Sequence, residues 1–306
     1  MSAAGSAPRT ARRSGLAYGL ITYLIWGVLP LYFVAMSPTG PFELVSARVV
    51  FSALFCALLV MFTRAWRVLG EVFRSPRTLG LFALAAGLIY LNWQLYVIAA
   101  TSGHVLEASL GYFINPVFTV LLAVLVQRER LTVAQWSAVG ISALAVLVLA
   151  VAYGQVPWIG LGLALSFGFY GLIKARVGGQ VDSLTGLTVE TTLLLPVATV
   201  VLVLVQTIGG GLTFGSSGVG HSLLLASTGI VTAVPLLTFA SASRRLPLAW
   251  LGFLQYLGPV LQFTLGVAVL REDMPPARWA GFALIWLAIV VLIVDGARQA
   301  RAHRVY

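Results

Sequence analysis

PVFTVLLAVLVQRE (116–129) and PVLQFTLGVAVLRE (259–272) spell one pattern twice. Seven of the fourteen positions are identical at a constant offset of 143: Pro116/Pro259, Val117/Val260, Leu122/Leu265, Val124/Val267, Val126/Val269, Arg128/Arg271 and Glu129/Glu272. A tryptophan follows each glutamate at the same distance, Trp136 and Trp279. The offset is close to half of the 306 residues, so the expected fold is two related halves.

Composition identifies the solvent. Apolar residues make up 59% of the chain and charged residues only 9%, where a soluble domain carries about a quarter. With a mean hydropathy of +0.97, the chain reads as an integral membrane protein. A net charge of +10 does not point to nucleic acid, because the arginines sit in short gaps between apolar runs rather than on a basic face. One cysteine, Cys56, lies inside an apolar run and reads as packing, which excludes a disulfide framework and a cysteine metal site.

A helix needs about 20 apolar residues to cross a hydrocarbon core of ~30 Å. Ten runs qualify: 15–36, 42–63, 79–100, 104–127, 133–152, 157–174, 185–206, 221–242, 247–270 and 277–295. The fold class is therefore all-α integral membrane, with residues 1–14 and 296–306 as flanking segments. With ten spans, sixteen of the nineteen Lys and Arg residues fall on one side. The other side keeps Arg271 and Arg278, and Arg48 is intramembrane. The positive-inside rule then puts both termini in the cytoplasm.

The repeat maps helices 1–5 (15–152) onto helices 6–10 (157–295). Trp26-Gly27 falls near Tyr170-Gly171, and Glu43 near Glu190. Five is odd, so the second half enters the membrane inverted. Inverted repeats of this kind hold a binding site at their interface near the midplane.

EASLGYFINPVFTVLLAVLVQRERLTVAQW (107–136), NWQLYVIAA (92–100), WGVLPLYF (26–33) and GFLQYLGPVLQF (252–263) resemble the RarD branch of the EamA-type drug/metabolite transporters. The resemblance covers nearly the whole chain. It implies ten helices in two inverted repeats, a bacterial inner-membrane permease, and export of metabolites or drugs, the branch carrying a chloramphenicol-related name. Val34 departs from it, standing where a lysine-type residue is expected after Tyr32-Phe33.

Three groups of residues are candidates for the work of transport. Pro116, Pro235 and Pro259 fall inside apolar runs, where each lacks an amide and frees a carbonyl, and so are expected helix breaks. Polar and aromatic side chains at helical spacing are expected to line a cavity. Gln255 and Gln262 share a stripe with Gly252 and Pro259; Asn115 and Tyr112 lie on helix 4; Asn92 and Tyr96 on helix 3; Tyr170, with Ser166 and Lys174, on helix 6. Trp26, Trp93 and Tyr256 are the candidate aromatic walls. The bland counterpart is hydrogen bonding between helices as structural glue. Charges within spans are costly in lipid and form the third group: Glu43, Arg48 and Glu107 toward the external side, Lys174 and Glu190 toward the cytoplasmic side. The expected pairs are Arg48–Glu107 and Lys174–Glu190, each closing its own side. Glu129 and Glu272 are expected to cap the helices that follow them.

No GxxxxGK[ST], HExxH or GxSxG pattern is present, so neither an ATP site nor a hydrolytic constellation is expected. The expectation is a secondary transporter, not an enzyme, with no cofactor and no metal. Its partners would be a small amphipathic organic solute, membrane lipids and, through Glu107, protons. The competing classes are a receptor or scaffold without transport and an intramembrane lipid-modifying enzyme; flux in proteoliposomes separates them.

Overall fold

The computed structural model describes residues 9–127, 131–153, 156–177, 181–243, 245–246 and 254–302. The elements are α1 (Arg9–Val34), α2 (Pro41–Thr63), α3 (Trp66–Arg74), α4 (Pro76–Thr101), α5 (Val105–Gln127), α6 (Val133–Tyr153), α7 (Trp158–Val177), α8 (Ser183–Ile208), α9 (Val219–Ala226), α10 (Thr228–Ser243), α11 (Leu257–Thr264) and α12 (Pro276–Ala302). A single π-helical turn, Leu265–Val269, extends α11. The described residues are helical or in turns, with no strand among them. In lipid this is the arrangement that satisfies every backbone group within its own segment.

Seven helical stretches are long and apolar enough to cross a bilayer, and two shorter apolar helices, Trp158–Lys174 and Leu257–Val269, accompany them. The protein is a multi-pass, all-α integral membrane protein. Local chemistry fixes the helix ends. Pro41 opens α2 where no amide is needed, and Arg64 ends it in the left-handed region with φ 55°. Ser75 caps α4 by accepting from the Thr78 amide, and Asp182 caps α8 by accepting from the amides of Leu184 and Thr185.

Three stretches depart from the expected runs. The 64–77 connection contains α3, whose Val72 packs with Phe82, Val177 and Val189 while Arg67 and Glu71 pair on its exposed side. Its apolar face covers only half of each turn, so it never forms a continuous run. The 221–242 run is two helices meeting at Ser227, where the Tyr32 hydroxyl donates to the Leu224 carbonyl and bonds Ser227 Oγ at 2.7 Å. In the ninth run, Pro259 is the third residue of α11, in a first turn that needs no amide from it. Gln255 and Tyr256 form the turn before that helix, so the Gln255–Gln262 stripe is not one helix face. Gly252 and Glu129 lie outside the described residues. Pro116 and Pro235 sit inside uninterrupted α5 and α10 and break neither.

The helices pack in a set of close pairs: α2 with α8, α6 with α12, α5 with α7 and α11, α4 with α7 and α8, and α10 with α1 and α2. α1 also packs on α11. Small residues permit the closest crossings. A Cβ at Gly111 would meet the Gly160 carbonyl oxygen at 2.5 Å, so α5 and α7 touch backbone to backbone. At Gly27 a Cβ would meet Leu261, and at Gly168 it would collide with the Phe118 ring.

Candidate functional site

Arg48 lies seven residues into α2, about 10 Å along the helix at 1.5 Å per residue. It is buried, with 6% of its surface exposed. Its guanidinium carbon sits 4.2 Å from the Trp93 ring centre and 5.7 Å from that of Phe33. Nε donates to Thr232 Oγ1 at 2.8 Å. Tyr96 stacks edge-on to Phe33 and Tyr112, with centroids 5.9 and 5.6 Å apart. The site thus gathers α1, α2, α4, α5 and α10 around one cation.

Asn92 extends this cluster. It donates through Nδ2 to the Leu163 carbonyl and to Ser166 Oγ, and its Oδ1 accepts from the Tyr112 hydroxyl at 3.3 Å. The structure therefore brings Arg48, Asn92, Trp93, Tyr96 and Tyr112 together, along with Ser166. Phe33 and Thr232 complete the cluster, and sequence reading passed over both. Phe33 looked like any apolar residue beside Val34, and Thr232 sits on a helix whose relation to α2 no spacing reveals.

The expected Arg48–Glu107 pair does not form. Glu107 Oε1 instead accepts from the amides of Ile159 and Gly160 at the start of α7. Those amides have no helical partner and carry the positive end of the helix dipole, which favours a carboxylate there. Glu43 is turned away from Arg48 as well: it accepts from the amides of Thr213 and Phe214 and from the Thr213 hydroxyl. Glu272 accepts from the Val105 and Leu106 amides at 2.6 and 3.0 Å, so it caps α5 rather than the helix that follows it. Burial pushes the Glu272 carboxyl above the ordinary range, while the amides of Leu106 and Val105 and the charges of Arg278 and His104 pull it down. All three carboxylates lie at the same rim, and each joins residues 9–153 to residues 156–302.

At the opposite rim Lys174 Nζ donates to Glu190 Oε1 at 2.8 Å, and the Tyr170 hydroxyl donates to Oε2 at 3.2 Å. This is the expected ion pair, but it links α7 to α8 inside the second half. Lys174 also lies 5.1 Å from the centre of the Phe82 ring on α4.

The remaining candidates are dispersed. The Trp26 carbonyl accepts from Gln262 Nε2, and the Trp26 ring lies against Tyr23 and Phe239. Tyr256 packs against a separate apolar cluster that includes Leu106, Phe113 and Phe282. Asn115 Oδ1 is buried without a partner among the described residues, and so is the whole side-chain amide of Gln94, which no sequence pattern singled out. Nowhere among the described residues do three or more His, Cys, Asp or Glu side chains gather as metal ligands do.

Residues 13–151 match the EamA-like transporter family. Over 294 residues the chain is 49% identical to "Protein RarD" of Streptomyces exfoliatus, covering 96% of this chain and 92% of that one. It is 39% identical to an uncharacterized transporter of Vibrio cholerae, covering 95% and 96% of the two chains. A crystal structure at 19% identity superposes with a TM-score of 0.60, over 94% of this chain and 99% of the other, and so shares the fold. The helical membrane fold and the near full-length likeness converge: the chain belongs to the RarD branch of the EamA-type transporters.

Proposed function

We propose that the chain is a secondary transporter of a small amphipathic organic solute, built from ten membrane-crossing helices in two inverted halves of the bacterial inner membrane, with both termini cytoplasmic. The observation that carries this reading is the exchange of helix pairings between the halves. Let α1, α2, α4, α5 and α6 correspond to α7, α8, α9–α10, α11 and α12. Then α1 on α10 becomes α7 on α4, α1 on α11 becomes α7 on α5, and α2 on α10 becomes α8 on α4, all of them observed pairs. The pairs α2–α8, α5–α11 and α6–α12 map onto themselves. Phe118 fills the space at Gly168 as Leu261 does at Gly27, and Phe118 and Leu261 are 143 residues apart.

Transport by alternating access requires two halves that move as bodies and a site between them. The carboxylate latches at the Glu43 rim and the Arg48 cluster suit those two roles. Aromatic rings with a few amides suit an amphipathic solute, an amphenicol or a metabolite, better than a bare ion. Proton coupling would act through the latch carboxylates, because a protonated carboxyl holds an amide less strongly than an ionised one.

Two measurements test this. With Cys56 replaced, single cysteines at Gly40 and Gly211 label from outside in sealed cells, whereas those at Gly70 and Arg245 do not; outside labelling at Gly70 overturns the topology. Thermal-shift screening against amino acids, nucleosides and amphenicols, followed by counterflow of the stabilising compounds in proteoliposomes, tests transport. Stabilising compounds that show no counterflow leave a receptor.

A further inference from the structure

Arg48 is a buried cation with no anion beside it among the described residues. A guanidinium has five donors, and the described structure supplies one acceptor, Thr232 Oγ1. The carboxylates expected beside it are held elsewhere, Glu43 by Thr213 and Phe214 and Glu107 by Ile159 and Gly160. Neither ion pair among the described residues includes Arg48. Trp93 and Phe33 offer their ring faces, which attract a cation but accept no strong hydrogen bond. A second polar group shares the deficit: the Tyr96 hydroxyl, on a residue 3% exposed, has no partner among the described residues. The Tyr96 ring stands edge-on between Phe33 and Tyr112, in the same cluster.

An unpaired charge at this depth is costly unless a counter-charge arrives, and charges inside membrane spans mark substrate paths. We propose that Arg48 binds the carboxylate of the transported solute, a small organic monoanion whose apolar or aromatic body lies against Phe33, Trp93, Tyr96 and Tyr112. The terminal amines of Arg48 form the fork that grips a planar carboxylate through two parallel bonds, and the Tyr96 hydroxyl donates a third. The proposal rests on the transporter reading for the word "transported"; the anion site itself does not.

The test uses the purified full chain in detergent and three probes matched in body: phenylacetate, phenylacetamide and phenethylamine, with inorganic phosphate as a fourth. Phenylacetate is expected to raise the melting temperature and to bind about tenfold or more tightly than its amide, the margin of a charge-assisted bond. That advantage should vanish in Arg48→Gln and fall in Arg48→Lys, which keeps the charge but not the fork. Without ligand, Arg48→Gln should melt at or above the wild-type temperature, because it removes an uncompensated buried charge. Equal binding of acid and amide, an advantage that survives Arg48→Gln, or stabilisation by phosphate alone overturns the proposal. So does a ligand-free Arg48→Gln that melts many degrees lower, which marks Arg48 as a packing residue. Phenylacetate binding without counterflow in proteoliposomes leaves the anion site standing and removes the transporter reading.

Discussion

The Glu190 side chain is 2% exposed and that of its partner Lys174 28%, so the two ends of this ion pair stand in different surroundings. Removing the lysine strands a carboxylate that, among the described residues, has only the Tyr170 hydroxyl left to donate to it. Removing the glutamate's charge leaves an ammonium that still reaches water, lies 5.1 Å from the centre of the Phe82 ring, and can donate to the new amide. Breaking a buried pair from one side costs about 3–5 kcal/mol, while replacing both partners with apolar groups is often near neutral. Lys174→Met should therefore fall in that range, Glu190→Gln should cost less, and the double variant K174M/E190M should recover most of the loss. Denaturant unfolding of the three variants in one detergent measures this; a Glu190→Gln as damaging as Lys174→Met would show that the asymmetry of burial does not set the cost. Asp182 poses a milder question at the same rim. Burial pushes its carboxyl up, but bonds from the Thr185 hydroxyl and the Thr185 and Leu184 amides outweigh that and hold it below the ordinary value. Its capping contribution is thus complete above the unfolded pKa and fades as pH falls through the lower, folded one. Asp182→Ala should cost about 1 kcal/mol at neutral pH, and less in acid.

At the scale of elements, one close backbone crossing lies beside a latch. Gly111 and Gly160 bring α5 and α7 together one helical turn from Glu107, whose Oε1 holds the Ile159 and Gly160 amides. A methyl group at Gly111 would meet the Gly160 oxygen at 2.5 Å and its Cα at 2.9 Å, and both are backbone atoms that cannot rotate away. A methyl at Gly160 would meet the Glu107 carbonyl at 3.1 Å, a contact that a few tenths of an ångström relieve. Gly111→Ala should cost about 2–3 kcal/mol by forcing the helices apart, and Gly160→Ala about 1 kcal/mol or less. Thermal melts of the two variants decide it, and equal losses would refute the reading. The apolar runs located these helices because length and hydropathy are written locally. They missed α3, whose apolar residues occupy one face of a short helix. They also merged α9 with α10, because the break at Ser227 depends on Tyr32 of another helix. The candidate site divides the same way. Arg48, Glu107, Lys174 and Glu190 were legible as charges out of place in lipid. Lys174 and Glu190, sixteen residues apart on consecutive helices, were legible as partners too. The partners of Arg48 and Glu107 were not, because the choice between an arginine and a pair of helix amides depends on which helix ends lie side by side.

The whole molecule is held at one rim by three carboxylates, and each bond crosses from one half to the other: Glu43 to Thr213 and Phe214, Glu107 to Ile159 and Gly160, Glu272 to Val105 and Leu106. No ion pair among the described residues crosses between the halves. A carboxylate on backbone amides is a latch that opens without stranding a cation, since both the acid and the amides can be taken up by water. In the transporter reading this rim faces outward and is shut, so loosening one latch should shift the population toward an outward-open form. Glu272 is half-buried and holds two amides, and Glu272→Gln keeps the shape but loses the charge. A charge-assisted hydrogen bond contributes about 1.5–3 kcal/mol, which corresponds to about a tenfold or greater change in the open fraction. Ser109 is fully buried below the latch and donates to the Pro259 carbonyl across α5 and α11, so a cysteine there reports opening. In a Cys56→Ala background, Ser109→Cys should react with an impermeant maleimide from outside about ten times faster when combined with Glu272→Gln. The gain should be smaller if phenylacetate at saturating concentration stabilises the closed form. Unchanged labelling in Glu272→Gln would mean that the contact is a static helix cap, and that the two halves part somewhere other than at this rim.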